Sequence, residues 1–244
     1  MGRIRGILQF SLVAVVAGTF IGSPFPYQKV SQPSQLEQVC NQEIIDKDKT
    51  AIFVIDMQSG WEQSDGIFSE KLIESRSEIN WDQKVKNQVS LLEYAKENNI
   101  PVYIFELFNN GETLSKLKKE LNGTDYQTYL KFGAGVYFEC FEKFDAKEVI
   151  KADIEEELNS RGIENIIIVG HNKYDCIRRS IYGSHEFGFN VIYSEDLVLG
   201  SDSTGKMVEI IPEMPDFVED FIEKEIADNS RDYGSTDSLL GCLR

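Results

Sequence analysis

The sequence predicts an α/β protein of three layers, a mainly parallel sheet covered by helices on both faces. Three observations carry that prediction. Apolar, β-branched runs of strand length recur at 50–55 (TAIFVI), 102–107 (VYIFEL) and 164–169 (ENIIIV), and they are continuous, as strands covered on both faces are. Segments of helical period separate them, so successive strands connect by crossovers rather than hairpins. The residues with most chemical capacity stand just after strand ends, where open parallel sheets bind ligands.

The elements follow in order. Arg3 and Arg5 precede an apolar heart at 7–21, so residues 1–25 read as a signal peptide, with an uncleaved N-terminal anchor as the alternative. Residues 26–48 are polar and read as a linker. A single folded domain then spans 49–226, followed by a C-terminal tail at 227–244. Within the domain, Val85, Val89, Leu92 and Ala95 form a helical stripe that ends before Pro101. Residues 112–121 form a short charged helix, and Asp145 with Glu148 reads as a capping box opening another, closed by Gly162. A helix over about 175–187 ends at Gly188, a strand follows at 190–194, and a final helix carries Phe217, Phe221 and Ile222.

Composition narrows the function. A formal charge of −16 repels nucleic-acid phosphates and anionic lipid, so the expected partner is a small-molecule substrate, with no nucleic acid and no membrane contact beyond an N-terminal anchor. Export, periplasmic or secreted, follows from the leader. Four cysteines and two histidines make no zinc spacing, so no metal and no cofactor are expected. Cys40 and Cys242, one near each end, either clip the ends together or stand as free thiols.

Three strand ends hold the candidate catalytic residues. Asp56 follows the first strand. Cys176 follows the Ile-rich strand across GHNKYDC, at a helix N-terminus, and Lys131 lies in YLKFGAGVY, an irregular glycine-containing stretch. A thiolate is the attacking species, and a helix N-terminus and a neighbouring ammonium both favour it. Asp56 can take the thiol proton and deliver it to a leaving amine. Singly, each residue also has an ordinary reading: a strand-end Asp as a turn former, a loop Lys as solvated, a Cys after an apolar strand as buried and inert.

VIDMQ at 54–58, KFGAGVY at 131–137 and IIIVGHNKYDC at 166–176 together resemble the signature regions of isochorismatase-like cysteine hydrolases, over roughly residues 50–200. The resemblance implies a doubly wound, Rossmann-like isochorismatase fold and hydrolysis of a small amide, carbamoyl or ureido C–N bond through a thioester. It places Asp56, Lys131 and Cys176 on the catalytic positions. It further implies a cis peptide at His171–Asn172, with the N–H groups of Asn172 and Cys176 as oxyanion donors, and it leaves room for a homo-oligomer.

The departures from that pattern nominate substrate contacts. Lys173 replaces a usual Thr and either binds an anionic substrate or faces solvent. Trp61, in SGW, is a pocket wall or core. Glu106 orients substrate or serves structure. Tyr137 closes the KFGAGVY turn, and His171 sits near enough to touch substrate, a structural hydrogen bond being the favoured reading. FELFNNGETL at 105–114 has no histidine, which disfavours a metal-binding nicotinamidase. The rival to catalysis is a binding or scaffold protein of the same fold, with Cys176 inert or in a disulfide.

Overall fold

The computed structural model describes residues 43–61, 80–133, 135–137, 140–143, 149–151, 153–200 and 224–244. The stretch expected as a leader, most of the stretch expected as a linker, with Cys40, and the helix expected around Phe217 lie outside these residues.

The first strand, β1 (Thr50–Ile55), is buried at every position. Its alternate residues point to opposite faces, and both faces are core: Ile52 and Val54 pack into one apolar cluster, Ala51, Phe53 and Ile55 into the other. The helix α1 (Trp81–Asn98) covers the first face through Val85, Leu91, Leu92 and Ala95. Next come β2 (Val102–Leu107), the short helix α2 (Ser115–Glu120) and β3 (Tyr126–Lys131). Then β4 (Cys140–Lys143) and β5 (Val149–Lys151) extend the sheet antiparallel to the strand before each.

The helix α3 (Ile154–Ser160) covers the second face with Ile154 and Leu158. It leads to β6 (Asn165–His171), which divides its side chains between the two faces as β1 does. After β6 a π-helical turn, Lys173–Ile177, runs directly into α4 (Arg178–Glu186). Finally come β7 (Asn190–Tyr193), β8 (Val198–Leu199), β9 (Arg231–Asp232) and α5 (Thr236–Cys242).

The sheet order is β5-β4-β3-β2-β1-β6-β7-β9, with β8 also paired to β6. From β3 to β9 every pairing is parallel. The three-layer, mainly parallel architecture is therefore as the apolar runs predict, and its double winding is as the resemblance implies. β1 lies at the centre, with β2 on one side and β6 on the other, so the chain reverses direction of winding there. That is where such sheets open a crevice beyond the carboxyl ends of the strands.

Three local readings are corrected. Lys131 is the last residue of β3, not part of an irregular stretch. The helix expected from Asp145 begins instead at Ile154, where the Asp153 side chain accepts from Glu156 N–H as its N-cap; Ile150 belongs to β5. The segment from 227 onward is no loose tail. Asp196 receives Thr236 N–H and Oγ at 2.9 Å each, α5 buries Leu239 in the core, and Leu243 bridges to Ile45. Cys242 is disulfide-bonded; the expected partner, Cys40, lies outside the described residues. Among those residues no helix is long and apolar enough to cross a membrane.

Candidate active site

Three neighbouring strands deliver the candidate residues to one place. Asp56 follows β1 with φ at 53°, a left-handed conformation that Asp tolerates better than most residues. That turn is braced from several sides. Asp56 N–H donates to Phe105 O at 2.9 Å, Gln58 N–H returns to Asp56 O at 3.0 Å, and Trp61 Nε1 donates to the same oxygen at 2.7 Å. Such strain is held where surrounding structure over-determines it, and it clusters at functional sites.

Lys131 reaches the site from the end of β3, with Nζ 2.8 Å from Asp56 Oδ2. Both side chains are almost fully excluded from solvent, at 0% and 1% exposure. The same Nζ lies 3.5 Å from Cys176 Sγ and donates to Gly133 O at 3.0 Å. The carboxylate is in contact with both ammonium and thiol, yet neither of its oxygens accepts a hydrogen bond of regular angle. The cluster is thus held by charge at contact distance, and the carboxylate keeps lone pairs available for a proton.

Cys176 is a free, buried thiol within the π-helical turn. One feature of β6 helps put it there. Gly170 has φ of 128°, and a Cβ at that position would lie 2.0 Å from Ile55 O, so only glycine lets β6 press this closely on β1. The His171–Asn172 peptide bond is cis, as the resemblance implies. Asn172 then accepts from Tyr174 N–H through its side chain at 3.1 Å and closes the turn.

The electrostatics correct one expectation. Burial, and then the adjacent Asp56 carboxylate, push the Cys176 thiol up to about 12, against the opposing pull of Lys131. The helix N-terminus and the ammonium therefore do not produce a resting thiolate, because desolvation of the anion and a second negative charge outweigh them. Asp56 is itself raised by burial, with Lys131 and the thiol contact opposing that rise. Burial alone would depress Lys131, but Asp56 and Cys176 raise it on balance, so it stays an ammonium. The resting site holds a thiol, a carboxylate more basic than usual, and a fixed cation.

The other nominated residues divide. Trp61 is buried beside Asp56. Glu106 accepts Thr113 N–H at 2.7 Å and Thr113 Oγ at 2.8 Å, so it fastens the loop after β2. Tyr137 packs on Phe187 and bonds Ser184 Oγ at 2.9 Å, which turns it toward α4. Lys173 is neither solvated nor awaiting an anion: it is buried, 3.0 Å from Glu195. Among the described residues neither ring nitrogen of His171 has a hydrogen-bond partner, so the expected structural hydrogen bond is not found there.

One positioning residue was not singled out from sequence. Fully buried Gln58 donates to Leu107 O at 3.0 Å and to Gly111 O at 2.6 Å, and accepts Leu107 N–H at 2.8 Å. It clamps the ends of β1 and β2 so that the Asp56 turn cannot drift; its place in VIDMQ was the available signal. A surface groove of about 610 Å³ over α1 and α2, lined by Asp82, Val85, Lys86 and Lys116 among others, shares no residue with this cluster. Among the described residues no group of three or more acidic, His or Cys side chains is arranged to hold a metal.

The model of the isochorismatase domain matches residues 50–211, more than half of the chain. The chain belongs to the isochorismatase family of hydrolases. Solved structures of the isochorismatase fold similar to it include three of diverse description. The MAR1 ribonuclease from Caenorhabditis elegans is 17% identical with a TM-score of 0.58, over 82% of this chain and 83% of that one. A nicotinamidase from Staphylococcus aureus is 12% identical with a TM-score of 0.54, over 76% and 98%. An N-carbamoylsarcosine amidase from Thermoplasma acidophilum is 12% identical with a TM-score of 0.53, over 78% and 97%. At these identities the likeness is one of fold. No curated protein matches the chain in sequence.

Proposed function

We propose that this isochorismatase-family protein is a cysteine hydrolase that cleaves the C–N bond of a small amide, carbamoyl or ureido compound. The observation that carries the reading is the buried contact of Lys131 with both Asp56 and Cys176. That arrangement supplies a nucleophile, a base beside it and a fixed cation in a water-poor site, the elements of acyl transfer. The fold it shares with an amidase and a nicotinamidase is in keeping with that chemistry.

The high pKa of the thiol sets the order of events. Asp56 accepts the Sγ proton as Sγ attacks the substrate carbonyl carbon, so the thiolate never has to accumulate. The N–H groups of Asn172 and Cys176 face the developing oxyanion, each such donor being worth ~3 kcal/mol. The tetrahedral intermediate expels the nitrogen, which takes the proton from Asp56 and leaves as an amine or ammonia. A water molecule then attacks the thioester carbon, Asp56 accepts its proton, and the C–S bond breaks to return the thiol and release a carboxylic or carbamic acid. Lys131 remains protonated throughout and balances the charge that moves between Asp56 and Sγ.

The test is ammonia release from a panel of small amides and ureido compounds, comparing wild type with Cys176→Ala. Turnover confined to the wild type supports the reading. The resting thiol pKa favours a second reading, a binding protein with an inert cysteine, and silence across the panel would move the assignment there. Export is proposed as well: the disulfide at Cys242 suits an oxidising compartment.

A further inference from the structure

Of the five residues nominated to contact substrate, four are already engaged by the protein's own groups. Trp61 donates to Asp56 O, Glu106 receives Thr113, Tyr137 bonds Ser184 and Lys173 pairs with Glu195. His171 is the exception. Its side chain is buried, with the residue 1% exposed, and neither Nδ1 nor Nε2 has a hydrogen-bond partner among the described residues. Buried polar groups are nearly always paired, and an unpaired one costs stability. A deficit of this kind, on the strand next to that of Asp56, points to a group that arrives from outside.

The fold sets the ring at the same sheet edge as Asp56. Ile55 is in register with Gly170, so Asp56 and His171 are the next residues along adjacent strands, side by side at their carboxyl ends. The cis bond that follows His171 begins the turn carrying Cys176. The His171 ring stands 4.7 Å from that of Trp61 and 6.5 Å from that of Trp81. Trp61 in turn is tied to the Asp56 backbone. Burial and the nearby Lys131 charge hold the imidazole down to about 3, so it is neutral and offers one donor and one acceptor.

We propose that His171 is the substrate-recognition residue of this site, hydrogen bonding to an uncharged carboxamide or ureido group that lies against Trp61. The class of group follows from charge. Asp56 and Lys131 already balance each other in a buried space, so a carboxylate would add an uncompensated anion and an ammonium an uncompensated cation. A neutral amide matches a neutral imidazole and adds none. The substrate class rests on the hydrolase reading above; the role of His171 as a ligand contact does not.

The chain has two histidines, which makes the test direct. Protein carrying Cys176→Ala and ¹⁵N-labelled histidine is titrated with acetamide and with N-methylurea, the ring signals being assigned with His185→Gln. The expected result is a saturable shift of the His171 ring nitrogens and none at His185. A His171 ring unmoved by both probes overturns the proposal. Ammonia release by the wild type from the same compounds separates the two readings. Release with an unmoved ring removes His171 and leaves the hydrolase; a moved ring without release does the reverse. His171→Leu adds a second readout. It is expected to weaken probe binding, or raise KM, by about tenfold while melting no lower than the parent, because it removes an unpaired polar group. A lower melting temperature would mark His171 as structural and also overturn the proposal.

Discussion

Lys131→Met isolates the charge balance on which the site depends. The Lys131 ammonium and the Asp56 carboxylate lie 2.8 Å apart, with side chains 0% and 1% exposed. Removing one partner of such a pair strands the other charge, at a cost of ~3–5 kcal/mol. For a chain of this size each kcal/mol lowers the melting temperature by ~2–4 °C, which gives a fall of ~6–20 °C at neutral pH. The pH dependence has a definite sign. Burial already raises Asp56 and Lys131 holds it down, so without Lys131 its folded-state pKa rises further. A carboxyl raised in the folded state contributes stability that is full below its unfolded pKa of ~4 and is lost as pH rises through the folded value. The deficit of Lys131→Met is therefore greatest at neutral pH and shrinks on acidification. Adding Asp56→Asn removes the stranded charge and restores most of the loss, a non-additivity that a double-mutant cycle reads directly. Thermal melts of the four proteins at pH 7 and pH 5 provide the measurement. A Lys131→Met protein within ~1 kcal/mol of wild type at pH 7, or a deficit that grows with acid, would refute the reasoning.

Further predictions follow from the same cluster. Asp56→Asn removes the anion that, after burial, most raises the Cys176 thiol. The variant should alkylate with iodoacetamide faster than wild type near pH 8 while losing turnover by at least ~10²-fold; slower alkylation would mean Asp56 already ionises the thiol at rest. Gly170→Ala should destabilise by ~3 kcal/mol or more, because its Cβ would meet Ile55 O at 2.0 Å. Gly162→Ala, also at positive φ but with nothing within 4 Å, should cost only ~1–2 kcal/mol in chemical denaturation. Equal losses at the two glycines would show that conformation, not the approach of β6 to β1, decides the cost.

What was legible in the sequence had a single physical origin. β1, β2 and β6 are buried on both faces, so their continuous apolar runs announce them. β3 was hidden because it mixes exposed and half-buried positions, with Tyr126 and Gln127 exposed and Leu130 half-buried, which leaves no run to see. That concealment also gave Lys131 the wrong setting, although its identity as a candidate did not depend on it. The helix starts at Ile154 and not near Asp145 because β5 intervenes, which sequence spacing cannot say. The acidity of the thiol was beyond local reading altogether. It is set by depth of burial and by a carboxylate brought from 120 positions earlier in the chain, and both are properties of the folded site. The same holds for His171, whose unpaired nitrogens are visible only once the packing of Trp61 and β6 is known.

The most direct test of the central claim is mass spectrometry of the Cys176 peptide, acid-quenched during turnover of an amide that yields ammonia. The account predicts an acyl adduct on Cys176 whose mass follows the acyl group of the substrate, and which is absent when the substrate is withheld. Ammonia release that continues without any adduct, and that survives Cys176→Ala, would contradict it.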